Sequence, residues 1–111
     1  MSRLVTDAMI EAALEYLAQA SEPAAAARAE RVRSEHNRKR TRARLMYEAD
    51  GPVSIREAHA ECHADYEEAC EREARAVQND EWHRLQRGKA EAILEAYRTE
   101  EATRRAGKDF R

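Results

Sequence analysis

Asp50-Gly51-Pro52-Val53-Ser54-Ile55-Arg56-Glu57 is the stretch on which the fold turns. Glycine supplies the left-handed backbone that closes a helix, and the proline behind it cannot continue one. Ser54 and Glu57 then stand at the spacing of a capping box, which opens a new helix. The eight residues therefore predict a tight corner between a helix ending near Asp50 and another beginning at Ser54.

Working upstream, Ala25, Ala29, Val32, His36, Lys39, Ala43 and Met46 step alternately by four and three residues, the spacing of a heptad seam. Ser21-Glu22-Pro23 combines a capping hydroxyl, an acidic first turn and a proline tolerated there, so a helix over 22–50 is expected to begin at this point. Ahead of it, Leu4, Val5, Ala8, Met9, Ala12, Ala13, Tyr16 and Leu17 fall on one face and predict a first helix over 4–20. Downstream, Ile55, Cys62, Tyr66, Ala69, Ala76, Trp82, Leu85, Ala92 and Ala96 keep an approximate seam. The third helix is predicted over 54–106, with kinks or breaks placed near Asn79 or Gly88, a stop at Gly107 and a frayed basic tail over 108–111.

Closing the corner gives an all-α fold, a long antiparallel helical hairpin of coiled-coil type. The short N-terminal helix packs on the far half of the long C-terminal one, within a single helical domain over 1–107. In that register Arg33 faces Glu71 and Met9 faces Glu95. Leu4, Met9, Ala13 and Leu17 are expected to bury Leu85, Ile93, Leu94 and Tyr97, with Trp82 in the same core; the alternative for Trp82 is an exposed anchor for a partner. The seam is thin, which makes a homodimer a second way of covering it.

Composition agrees with this architecture. The chain has 111 residues and 38% charged side chains, and its 23 alanines outnumber the 14 Leu, Ile, Val and Phe together. Few large apolar residues and many charges also mark disordered chains, but the helical periodicity argues for long helices packed through narrow seams. A net charge of −2 excludes a uniformly basic nucleic-acid binder and leaves room for a local basic face. No apolar run reaches the length of a membrane span, and Met1 to Ile10 lacks the layout of a signal peptide, so the sequence reads as cytoplasmic. Cys62 and Cys70 would lie roughly 12 Å apart along one helix, too far for a disulfide, and read as reduced thiols.

The charges come in blocks of −3 over 1–27, +6 over 28–44, −8 over 45–81 and +3 over 82–111. In the hairpin the basic run Arg28, Arg31, Arg33, Arg38, Lys39, Arg40, Arg42 and Arg44 lies beside Glu61, Asp65, Glu67, Glu68, Glu71 and Glu73. Their simplest use is internal, as flanking ion pairs that fix register and orientation. The functional reading has Arg31, Arg38 and Arg42 pointing away from the seam to track phosphates, with Arg44, Arg104 and Arg105 as further binding residues and Lys108 in support. No aromatic interleaves the run before Tyr47, so there is no stacking platform for single strands.

His59-Ala60-Glu61-Cys62-His63 is the one cluster with a chemical look. Histidines at i and i+4 share a helix face and can chelate zinc with Cys62, helped by Cys70 or His36. The competing reading puts His59 and Cys62 at the seam, with the thiol as a small apolar filler. No glycine-rich phosphate loop, nucleophile motif or HExxH is present, and the carboxylates are explained by an acidic helix face, so no enzyme and no cofactor beyond that zinc are expected.

Thr6-Asp7-Ala8-Met9-Ile10-Glu11-Ala12-Ala13-Leu14-Glu15-Tyr16-Leu17-Ala18, Ser54-Ile55-Arg56-Glu57-Ala58, and the run from Glu95 to Gly107 together resemble small all-helical proteins of temperate tailed phages and prophages. The likeness spans most of the chain, and the segment His59 to His63 departs from it. It implies a phage origin among early, DNA-metabolism or host-takeover genes, and a host-cytoplasmic setting. It carries no active site, so no residue role transfers. The expectation is a non-enzymatic protein that binds, stoichiometrically, a host or phage protein of recombination, replication or host defence. The alternatives are a nucleic-acid binder using the Arg28 to Arg44 face and a structural homo-oligomer.

Overall fold

The structure, a computed structural model, describes residues 4–109. Three helices follow one another, α1 (Asp7–Glu48), α2 (Val53–Cys62) and α3 (Ala64–Asp109), with no strand among the described residues. The chain groups into two compact units. Unit 1 joins the start of α1, up to Ala24, to α3 from Trp82 onward; unit 2 is Ala25–Glu81 and holds the hairpin corner. Within unit 1 a short stretch of helix thus packs against the far half of the long C-terminal helix, as the sequence predicts.

Thr6 starts α1, its Oγ1 accepting the Met9 N–H at 3.2 Å, while the Leu4 N–H donates to Glu100 Oε1 at 2.9 Å and ties the entry segment to α3. The helix start expected near Ser21 does not exist. Pro23 lies inside a continuous α1. An interior proline costs about 3 kcal/mol because it deletes one backbone hydrogen bond and crowds the preceding turn. Ala20, Ala24 and Ala27 bracket it with buried methyls, and this packing outweighs the local preference.

The corner forms where expected, with Gly51 at φ 107°. Its details differ from the capping-box prediction. Pro52 is the N-cap of α2 and makes no side-chain capping bond; its carbonyl accepts from Ile55 and Arg56 instead, and Ser54 is already helical. Arg56 reaches back with Nε to the Met46 carbonyl at 2.9 Å, which also accepts the Ala49 N–H at 3.3 Å, and so supplies a cation to the end of α1, whose last turn holds no basic residue.

The third helix is not continuous over 54–106. It breaks at His63, whose extended backbone (φ −77°, ψ 141°) separates α2 from α3, and α3 then runs through Asn79, Gly88 and Gly107 to Asp109. Neither the expected kink sites nor the expected stop interrupts it. The helix therefore includes the start of the stretch expected to fray, and residues 110 and 111 of that tail lie outside the described residues.

The largest correction concerns which face of α1 is buried. The shielded stripe is Ala13, Leu17, Ala20, Ala24, Ala27, Arg31, Ser34, Arg38, Thr41 and Leu45, a regular 4-3 alternation. Ala13 and Leu17 fall where predicted, but from Ala24 onward the stripe precedes the predicted seam by one and two residues alternately, about 150° of rotation. Val32, His36, Lys39 and Ala43 are exposed. The matching stripe on α3 is Tyr66, Ala69, Glu73, Ala76, Asp80, His83, Ala90, Leu94 and Tyr97, of which Tyr66, Ala69, Ala76, Leu94 and Tyr97 were predicted. Trp82 and Leu85 were expected inside and are 51% and 69% exposed; Leu4 and Met9 also face out. Ile93, Leu94 and Tyr97 are half-buried.

Candidate functional site

This rotation of α1 changes what its arginines do. Arg31 and Arg38 sit at seam positions and deliver their charge to the facing helix. Arg31 donates from Nη1 to Asp80 Oδ2 and Glu81 Oε1, each at 3.0 Å. Hydrogen bonding to Asp80 first, then Glu81, raises its pKa. Arg38 donates to Glu73, which raises it likewise. Arg42 binds Glu61 of α2 at 3.1 Å, and Arg44 binds Asp65 of α3 and Glu48 of its own helix, both at 3.1 Å. The three expected phosphate-tracking residues and Arg44 thus have carboxylate partners within unit 2, and Arg31 and Arg38 do not point away from the seam. For these four, the charges are used internally.

Other pairs hold the same layer together. Glu30 accepts from Arg72 of α3 at 3.2 Å and from Arg33 at 3.4 Å; these bonds hold its carboxyl below the usual carboxylate range. The buried Ser34 hydroxyl donates to the same carboxylate at 3.3 Å. In unit 1, Arg104 pairs with Glu101 one turn away, and Arg105 donates to the Glu101 carbonyl at 3.4 Å. These two arginines lie in unit 1 and the other four in unit 2.

What the sequence reading missed is the complementary set. Arg28 and Arg40 are exposed and take part in no ion pair among the described residues, while Arg33 and Lys39 reach only Glu30 and Glu35 on their own helix. Tyr47 lies seven residues beyond Arg40 and is 85% exposed. The signal that separates the two sets is the rotation of α1, which spacing alone does not set.

Of the candidate zinc ligands, His63 has another role. It is at the helix break, where its Nδ1 accepts the Asp65 N–H at 3.0 Å and so caps α3. It stays beside His59. The two rings meet edge to face with centroids 5.8 Å apart. Cys62 is exposed rather than a seam filler, as is His59, and Cys70 is half-buried. Among the described residues no three His, Cys, Asp or Glu side chains come together as a metal site.

A shallow groove of about 210 Å³ runs between α1 and α3 in unit 2, with Asn37, Thr41, Arg44, Asp65 and Arg72 on its walls. Its Arg44 and Asp65 already bind each other. No helix among the described residues is long and apolar enough to cross a membrane. No protein-family model matches the chain, and no curated protein or solved structure does either. Functional inference therefore rests on these surfaces.

Proposed function

We propose that the protein is a non-enzymatic helical binding protein that acts by stoichiometric association with another protein. One observation carries this reading. Trp82 and Leu85, one turn apart on the same face of α3 in unit 1, remain 51% and 69% exposed although α1 packs alongside. An aromatic beside an aliphatic side chain, on a rigid helix, is the composition of a protein-binding hot spot. The resemblance to temperate-phage proteins suggests the class of partner, a protein of recombination, replication or host defence in the bacterial cytoplasm. Zinc plays no part in this reading.

The test is affinity capture with tagged wild-type protein and a Trp82→Ser/Leu85→Ser variant, each with and without nuclease. The expected result is a discrete protein that survives nuclease and is lost from the variant. A capture abolished by nuclease and unaffected by the double substitution would replace this reading with nucleic-acid binding. The second reading draws on Arg28 and Arg40, which have no carboxylate partner among the described residues. It requires oligonucleotide binding that weakens by orders of magnitude between roughly 50 and 200 mM salt.

A further inference from the structure

The two outer faces of unit 2 carry opposite charge. On α1, the side opposite the seam is the stripe of Ala25, Ala29, Val32, Lys39 and Ala43, flanked by Arg28, Arg33 and Arg40. On α3, the side opposite the seam is Ala64, Glu67, Glu71, Ala74 and Gln78, with Glu68 beside it, all exposed. Glu67, Glu68 and Glu71 form no ion pair among the described residues, as Arg28 and Arg40 do not. With His36 between Val32 and Lys39, both outer stripes repeat the 3-4 spacing of the inner seam, and their charges are basic on α1 and, with three glutamates against Arg75, net acidic on α3. The contact the chain makes with itself inside unit 2 is thus written a second time, unpartnered, on its two outer faces.

We propose that the outer face of α1 docks on the outer face of α3 of a second copy. The complementary faces lie on opposite sides of the helix pair, so each contact uses a different surface on each copy and leaves one face of each kind free. Such a head-to-tail contact grows with concentration instead of stopping at a closed dimer. Its charges are exposed, so salt weakens it.

The test uses two charge reversals, Arg28→Glu/Arg40→Glu and Glu67→Lys/Glu71→Lys, none of which removes an ion pair among the described residues. Circular dichroism confirms the helix content of each variant. Sedimentation velocity is then run from about 10 µM to about 1 mM protein at roughly 50 and 500 mM salt. The wild type is expected to rise about twofold or more in weight-average mass at low salt and to return to the monomer mass at high salt. Either variant alone stays monomeric, because one of its outer faces no longer carries the charge that the other attracts: Arg28→Glu/Arg40→Glu leaves the α1 face without a net positive charge, and Glu67→Lys/Glu71→Lys makes the α3 face basic. An equimolar mixture of the two regains association, since each supplies the face the other has lost. A wild type that is monomeric throughout, or a variant that associates alone as the wild type does, overturns the proposal. A monomeric wild type that binds a duplex oligonucleotide, with binding lost in Arg28→Glu/Arg40→Glu, reassigns the basic face to nucleic acid.

Discussion

Arg31 and Asp80 meet at 3.0 Å from seam positions on α1 and α3, so an ion pair stands where a coiled coil ordinarily places two apolar knobs. Asp80 is buried, and its charge is matched by the Arg31 guanidinium. Removing Arg31 leaves a buried carboxylate unmatched, whereas removing Asp80 leaves Arg31 its bond to Glu81 at 3.0 Å. Arg31→Met is therefore expected to lower the thermal midpoint by roughly 4–8 °C. Arg31→Met/Asp80→Leu, which removes both charges, should recover most of that loss. Thermal melts followed by circular dichroism compare the three proteins.

Leu45 is the largest fully buried side chain and has few large apolar companions in unit 2. Leu45→Ala is expected to cost about 2–5 kcal/mol. Urea titration should show a lower midpoint with an unchanged slope, and a value under 1 kcal/mol would mean that the hairpin does not depend on this contact.

Two glycines should respond in opposite directions. Gly51 has φ 107°, so Gly51→Ala is strained and is expected to destabilise by about 1–2 kcal/mol. Gly88 is inside α3, and a Cβ there meets nothing within 4 Å; Gly88→Ala should stabilise by about 1 kcal/mol. Equilibrium unfolding of the two variants side by side checks both signs.

His63 acts as the cap of α3. His63→Ala is expected to cost about 1 kcal/mol and His63→Ser to restore most of it, because a hydroxyl can also accept the Asp65 N–H. Equimolar zinc should leave the melting midpoint of the wild type unchanged. A clear zinc-dependent rise that His63→Ser abolishes would return the His59, Cys62 and His63 cluster to metal binding.

Acid should loosen the hairpin in a defined direction. Arg72 and then Arg33 depress the folded-state pKa of Glu30, and Lys39 does the same for Glu35. A depressed carboxyl contributes stability that is fully present above its unfolded value and is lost as pH falls through the folded one. Melting midpoints are expected to be flat above about pH 5 and to decline below about pH 4. Glu30→Gln should make the curve shallower. A midpoint that rises on acidification contradicts these pairings.

The corner and the antiparallel pairing were legible because Gly51 and Pro52 act through their own backbones and need no context. Tyr66, Ala69 and Ala76 were legible because they are seam residues of seam type. On α1 beyond Ala20 the same logic selects nearly the opposite face. Val32 and Met46 look like knobs, whereas Arg31, Ser34 and Arg38 become acceptable in a seam only once Asp80, Glu30 and Glu73 are opposite or below them. Trp82 was misplaced for a related reason, since a large apolar side chain in a chain poor in them is readily assigned to the core. The break at His63 has no glycine or proline to announce it. The candidate surface followed the same error, because the arginines available to a partner are those that the true rotation leaves without a carboxylate across the seam.

A seam of alanines bridged by arginine and acid also sets how the fold responds to temperature. Alanine has no side-chain rotamers to freeze and little apolar area to hide, so closing the seam displaces less ordered water than a leucine-rich core does. The heat-capacity increment of unfolding should then fall below the usual 12–15 cal/mol/K per residue. A small increment flattens the stability curve, and this chain should lose its structure gradually on both cooling and warming, over a broad plateau of modest stability.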